Sequence, residues 1–503
     1  MKSTTFSLAL VLGVLSAARP AAAQTQPAQP PAGTVPAAAP TGPWSLQRAI
    51  EYAQQHNLTV RQQQLTADNA AATLRQSRAA QLPTANGSAT QTWNYGTNVD
   101  PFTFELVNQT IRANNFSANS QLTLFQGFQL RNTVRRNALD YQASLADIEQ
   151  ARNDLALNVA SAYLQLVLAE ELIRANEVRV SSTQQQIERT RKLLKAGAVP
   201  ESNLLDSQAQ LASDELNVVT AQNQRDIARL QLAQLLNLPS PAGFALEQLN
   251  LPDPDDEAPL SEDPDATYQT ALGLLPQVKA ADLRVQSSLR SVEAARGAYY
   301  PRLTFGAGIF SGYSSARTSR VLTGDTTLTP IPLYQIDPVT GRPRVVPGAF
   351  AGFPQASFEA LPQKFVSQVR ENLGKQLQFS LNVPILNGLQ TRTNVQRAQI
   401  AVRQAEVRAE QARLTIRQDI QQAYADAVAA QRQFAASKRQ VQALTTALRN
   451  AEIRFNNGLL NGTDFNIAKN NLAAAESTMI QNKYTFIFRR KVLDFYQGRP
   501  LTL

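Results

Sequence analysis

The chain has 503 residues, of which 43% are hydrophobic, with a formal charge of +9 and no cysteine. The lack of cysteine excludes a disulfide framework, thiolate catalysis and a lipid-bearing N-terminal Cys. The positive charge comes from 38 Arg and 10 Lys scattered among Gln, Glu and Asp without a long basic run, which argues against nucleic acid as a partner.

Residues 1–23 read as a signal peptide. Lys2 supplies the charged start, Phe6 to Leu15 the apolar stretch, and Ala21-Ala22-Ala23 a small-residue cleavage site. That stretch holds 10 residues, against the ~20 of a spanning helix. Residues 24–43 form a Pro/Ala-rich tether with no reason to fold. No later segment reads as apolar enough to cross a bilayer as a helix, so any membrane passage requires a β-barrel.

Residues 44–239 form a first structural repeat: a helix from Leu46 to Gln81, strands at about 84–96 and 115–126, a long helix over 129–196, and a helix from about Glu201 to Asn237. Residues 240–264 are a linker containing the acidic run Asp253-Pro254-Asp255-Asp256-Glu257. A second repeat spans 265–500, with strands at about 302–313 and 375–387, an exposed loop at 314–374, and a long helix over 390–457. The strands alternate with period two. Leu377, Phe379 and Leu381 face one way while Gln376, Gln378 and Ser380 face the other. Along the long helices a narrow apolar stripe runs through Leu155, Val159, Ala162 and Leu166, and through Ile416, Ile420, Ala423 and Ala427. At about 1.5 Å per residue such a helix extends about 100 Å, beyond the needs of one compact domain.

The two halves are copies. Gly127, Arg131, Val134 and Arg136 recur 261 positions later as Gly388, Arg392, Val395 and Arg397. From Leu122 to Pro239 that offset gives 22 identities in 118 positions without a gap. Earlier residues match at an offset of 218, as in Ala53 with Ala271 and Pro83 with Pro301, so the second half carries 43 extra residues in its exposed loop. Four strands are too few for a membrane barrel, which starts at about eight, whereas three copies supply twelve.

No nucleophile–base pair, phosphate loop or zinc motif stands out, so the chain reads as neither an enzyme nor a cofactor binder. His56 is the single histidine and reads as a surface residue near a helix end; Tyr163 and Tyr424 read as helix-packing residues.

This duplicated pattern resembles the TolC family of outer-membrane efflux and secretion channels. The match covers Trp44 to Pro500 and rests on Leu82-Pro83 with Tyr300-Pro301, on Leu124-Phe125-Gln126-Gly127 with Ile385-Leu386-Asn387-Gly388, on the Ala-Tyr pairs and on two Gly-centred helix tips. The resemblance implies a mainly α fold with a small β part: a long antiparallel α-helical barrel continuing into a 12-stranded trimeric transmembrane β-barrel, four strands per chain. It further implies a passive exit duct for a tripartite efflux pump or type I secretion system in the Gram-negative outer membrane. Its partners would be two further copies, outer-membrane lipid, a periplasmic adaptor (membrane fusion) protein and an inner-membrane RND, ABC or MFS transporter. An exported coiled-coil scaffold or adhesin without a pore is the alternative.

The same resemblance assigns Gly197, Ala198, Val199, Gly458, Leu459 and Leu460 to adaptor-contacting tips. It assigns Asp464, Phe455 and Asn203 to a pore constriction. The family's second acidic position is Ile467 here, its tip Tyr is Phe455, and its tip Arg is Leu460. Asp464 also has a simpler reading, as the complement to a helix N-terminus, worth about 0.3–1 kcal/mol. Gly at each tip suits a left-handed turn, and Ser202 and Thr463 are the expected caps of the helices that follow.

Overall fold

The computed structural model describes residues 42–99, 104, 106–108, 110–197, 199–238, 245–247, 254 and 263–501. The expected signal peptide, nearly all of the tether and most of the linker lie outside these residues. The order of elements is α1 (Leu46–His56), α2 (Leu58–Ala79), β1 (Thr84–Asn94), β2 (Thr97–Val99), β3 (Leu106–Asn108), β4 (Ile111–Gln126), α3 (Gln129–Lys195) and α4 (Glu201–Leu235). Then come α5 (Pro264–Leu274), α6 (Pro276–Arg296), β5 (Arg302–Ser314), β6 (Thr318–Ile336), β7 (Pro343–Pro362), α7 (Phe365–Glu371), β8 (Gly374–Asn382), α8 (Gln390–Asn456) and α9 (Gly462–Tyr496). Contacts divide the chain into two compact units, the first of residues 1–66, 145–279 and 411–503, the second of residues 67–144 and 280–410.

The first unit is helical. The apolar stripe of α3 is buried from Leu155 to Ile173, and that of α8 from Ile416 to Phe434. Around Tyr163 the core gathers Trp44, Leu166, Leu232, Leu236 and Tyr484, each large side chain contributing about 1.5–3 kcal/mol by leaving water. The Tyr163 hydroxyl donates to the Trp44 carbonyl at 2.9 Å, and that carbonyl also accepts from the Glu247 N–H at 3.1 Å. Two corrections to the sequence reading arise here. Part of α3 is apolar and long enough to cross a membrane, but most of that window is buried in the core, where apolarity serves packing. The helix expected to run unbroken from Leu46 to Gln81 is interrupted at Asn57, whose backbone is extended. Its Oδ1 accepts from the Thr59 N–H at 2.8 Å and its Nδ2 donates to the Leu235 carbonyl at 3.0 Å, so one side chain stops α1, starts α2 and ties both to α4. The repeat breaks at the same place, Leu275, where Pro276 opens α6.

The second unit holds the main sheet, antiparallel in the order β1-β4-β5-β8. The segment 314–374, expected to be an irregular loop, is mostly a long β6–β7 ribbon paired from Thr318↔Pro362 to Ile336↔Pro343. Register shifts between Leu322 and Thr326 and between Pro332 and Tyr334 break the alternation that marks a strand in sequence. A two-stranded ribbon also has only edge strands, which tolerate its prolines. The last strand is shorter than expected, ending at Asn382 and not at 387, because Pro384 has no N–H to continue a ladder. Helix α7 seats the base of the ribbon: fully buried Gln368 accepts from the Ser314 N–H and donates to the Ser314 and Gln363 carbonyls, at 2.9, 2.9 and 3.0 Å.

The duplicated glycine has a backbone explanation. Gly127 and Gly388 have φ of +54° and +57°, and the residues after them, Phe128 and Leu389, have φ of +60° and +64°. Both copies thus turn from strand to helix through two consecutive left-handed residues, of which only the first is glycine. The environments differ. A Cβ on Gly127 would stand 2.1 Å from the Gly297 carbonyl oxygen, whereas one on Gly388 meets nothing within 4 Å. Gly388→Ala is therefore expected to cost only the backbone penalty of about 1–2 kcal/mol, and Gly127→Ala distinctly more. Thermal unfolding of the two variants in detergent followed by circular dichroism measures the difference; equal losses would contradict it.

Candidate channel-lining face and helix tips

The main sheet has two chemically different faces, and the register sets them. Across one face run the rows Thr84–Gln121–Gly306–Gln378, Asn86–Asn119–Gly308–Gln376 and Ser88–Ser117–Phe310–Gly374. Across the other run Leu122–Phe305–Phe379, Ala85–Ser120–Ala307–Leu377 and Gly87–Ala118–Ile309–Lys375. On the apolar face Leu377, Phe379 and Leu381 are 75%, 69% and 64% exposed in the single chain. An apolar surface of that kind is out of place in water. At one end of the same face Phe116 and Tyr313 pack against Phe365 of α7, and the Arg112 guanidinium lies 5.5 Å over the Tyr313 ring. Aromatics of this kind mark membrane–water boundaries. Each outer strand, β1 and β8, has one side without a partner strand among the described residues.

The helix tips lie in the first unit. Gly458 (φ +71°) ends α8 in a Schellman turn: its N–H donates to the Phe455 carbonyl at 3.0 Å and the Leu459 N–H to the Arg454 carbonyl at 2.8 Å. Gly197 (φ +72°) makes the matching bond to Leu194 at 2.9 Å. Ala198 lies outside the described residues. Val199 is half-buried, while Leu459 is 70% exposed. The caps differ from expectation. Asn461 caps α9, accepting from the Asp464 N–H at 2.7 Å, and α4 follows Pro200 with no side-chain cap, so Thr463 and Ser202 sit inside the first turns. Asn461 wins because a short amide is among the best N-cap acceptors and stands three residues before a free N–H.

Of the expected constriction residues, Asp464 is exposed on the first turn of α9. Phe455 stacks on Phe465 with centroids 4.9 Å apart. Asn203 lies against Gly462, where its Oδ1 would be 3.4 Å from an added Cβ. The structure therefore brings the two tips together at Asn203 and Gly462. Exposed His56 stacks on Tyr52 at 4.0 Å and its Nδ1 donates to the Tyr52 carbonyl.

A polar cluster farther along these helices escaped the sequence reading. Asp214 on α4, 1% exposed, accepts from the Thr183 hydroxyl of α3 at 2.5 Å and from Gln210 at 2.9 Å. Lys469 of α9 donates to the same hydroxyl at 2.7 Å. Burial holds the Lys469 pKa below the usual lysine range, although the Asp214 charge opposes the shift. The duplication carried a signal: Asp214, Lys469 and Thr183 align with Ala475, Gln208 and Leu444, so the two repeats diverge in chemistry here.

The sequence pattern of the outer membrane efflux protein family matches residues 49–238 and 367–494, more than half of the chain. The chain belongs to the outer membrane efflux protein family. Membership sets aside the scaffold or adhesin. Among relatives, it is 26% identical over 243 residues to the fusaric acid resistance protein FusA of Burkholderia cepacia, covering 46% of this chain and 44% of that one. It is 25% identical over 207 residues to the pyoverdine export outer membrane protein OpmQ of Pseudomonas putida, covering 40% and 41%. The chain thus spans less than half the length of these curated relatives. Among solved structures it is similar to the outer membrane protein VceC of Vibrio cholerae, with a TM-score of 0.68 at 16% identity over 91% of this chain and 96% of that one. The Campylobacter jejuni CmeC outer membrane channel gives 0.67 at 18% over 90% and 85%. The fold of this outer-membrane efflux protein is that of these channels.

Lys469→Met leaves the Thr183–Asp214 pair without its cation and is expected to cost about 1–3 kcal/mol. Adding Asp214→Leu removes the buried charge and should recover part of the loss. Denaturant titration of the single and double variants measures both; a double variant as unstable as the sum of the singles would deny the coupling.

Proposed function

We propose that the protein is the passive exit duct of an efflux assembly, a homotrimer whose three sheets complete a twelve-stranded barrel and whose helices form a periplasmic tunnel. The observation that carries this is the four-stranded sheet with one apolar face, one polar face whose one ionisable side chain is Arg302, and two edges without a partner strand among the described residues. In lipid, unpaired N–H and C=O groups on an edge are too costly to leave, and eight strands is about the minimum for closure. Edge β8 of one copy meeting edge β1 of the next satisfies both limits and puts the amides inside. Energy comes from an inner-membrane transporter of RND, ABC or MFS type, reached through a periplasmic adaptor. FusA and OpmQ, named for fusaric acid resistance and pyoverdine export, favour small-molecule efflux over protein secretion.

In this reading Gly197, Ala198, Val199, Gly458, Leu459 and Leu460 dock the adaptor, with exposed Leu459 as the apolar contact. Asp464, Phe455 and Asn203 narrow the tunnel. The domain plan is a tethered pair of repeats, 44–239 and 265–500, joined by the 240–264 linker, with the β6–β7 ribbon on the cell exterior.

The reading is tested by outer-membrane fractionation, by the size of the detergent-solubilised complex and by conductance in planar bilayers. The Gln363 N–H reaches the Arg317 carbonyl at 3.0 Å, so the ends of the ribbon already meet. Replacing residues 318–362 by a short linker is expected to leave the trimer intact, and collapse of assembly would contradict an exterior position. Asp464→Asn removes three like charges near the axis and is expected to lower cation preference, read as a smaller reversal potential in a salt gradient. Unchanged selectivity with reduced thermal stability would make Asp464 a helix-terminus residue only.

A further inference from the structure

The polar face of the sheet is not uniform. Its centre is a groove of about 360 Å³ in the second unit. The floor is β5 at Gly306 and Gly308, and the walls are Asn119 and Gln121 of β4 and Gln376 and Gln378 of β8. The glycines make the groove. A Cβ on Gly306 would have only backbone atoms near it, at 3.9 Å, so the space above it is open. Asn119 leans over Gly308, its Oδ1 standing 2.9 Å from where a Cβ would be. The amides of Gln376 and Gln378 are exposed and have no hydrogen-bond partner among the described residues. On this face of β1, β4, β5 and β8 the one ionisable side chain is Arg302, at the start of β5.

An amide offers two donors and an acceptor with no net charge. Four of them around an open floor present both kinds of hydrogen-bonding group to a solute and nothing to neutralise an ion. Contacts of this kind are individually weak, which suits a conduit, where cargo must leave as readily as it enters.

We propose that this groove is a cargo-contact subsite that takes uncharged or zwitterionic solutes rich in hydroxyl and amide groups, and does not select ions. The proposal rests on the reading that the polar face lines the duct. Its test is single-channel recording of the full chain in planar bilayers, with a neutral malto-oligosaccharide as probe and trilysine as charged comparator. The unaltered protein is expected to show brief current interruptions with the sugar. Gln376→Leu with Gln378→Leu is expected to reduce their frequency about tenfold, the ratio for two weak hydrogen bonds lost, with open conductance and the response to trilysine unchanged. Gly306→Val, which fills the floor and leaves every amide in place, is expected to reduce them as well, and decides the matter if the double variant does not assemble. Sugar interruptions that persist in either conducting variant, or a parallel loss of the trilysine response, would overturn the subsite. An unaltered protein that conducts without sugar interruptions would also overturn it, while one that never conducts would overturn the duct reading instead.

Discussion

The structure depends on how a four-stranded sheet satisfies its backbone. Pairing of β1 with β4, β4 with β5 and β5 with β8 uses the inner hydrogen-bonding groups and leaves an outer edge on each flanking strand. In water such an edge is tolerable; beside the exposed Leu377, Phe379 and Leu381, in lipid, it is not. In the proposed trimer, association removes the edges and hides the apolar face at once. The same association turns the opposite, amide-bearing face inward. One constraint thus links membrane residence, oligomerisation and the chemistry of the conduit.

Duplication meets that constraint with little new invention. Each repeat supplies two strands and the helices that follow them, joined by the same pair of left-handed residues at Gly127-Phe128 and Gly388-Leu389. Where the copies diverge, their environments differ. Gly127 is pressed against Gly297 while Gly388 stands free. Asp214, Thr183 and Lys469 form a buried network whose repeat counterparts, Ala475, Leu444 and Gln208, cannot form one. In each case one copy's residues meet surroundings that the other copy's do not.

Much of this was legible from residue order. Period-two alternation showed the four sheet strands, and three-and-four spacing of Leu155, Val159, Ala162 and Leu166 showed a buried stripe on α3. The 261-residue offset showed that the halves share a plan, and the tip glycines showed where the long helices turn back. These signals are local or periodic, and the backbone geometry that produces them repeats within a few residues. The β6–β7 ribbon stayed hidden because its bulges reset the alternation, and the break at Asn57 because an Asn within a helical pattern is a cap only if a second helix end, here Leu235, lies beside it.

By itself the sequence determined the duplicated order of strands and helices, which strand residues share a face, and the absence of any thiol. Tertiary structure alone decided that Asn203 meets Gly462, that one threonine hydroxyl serves both Asp214 and Lys469, and that Gly306 and Gly308 lie between two amide-bearing strands. The physical reason is separation along the chain. Periodicity is set by neighbours a few residues apart, whereas these contacts join segments up to 286 residues apart, and their partners become defined only when the packed helices and the sheet register bring them together.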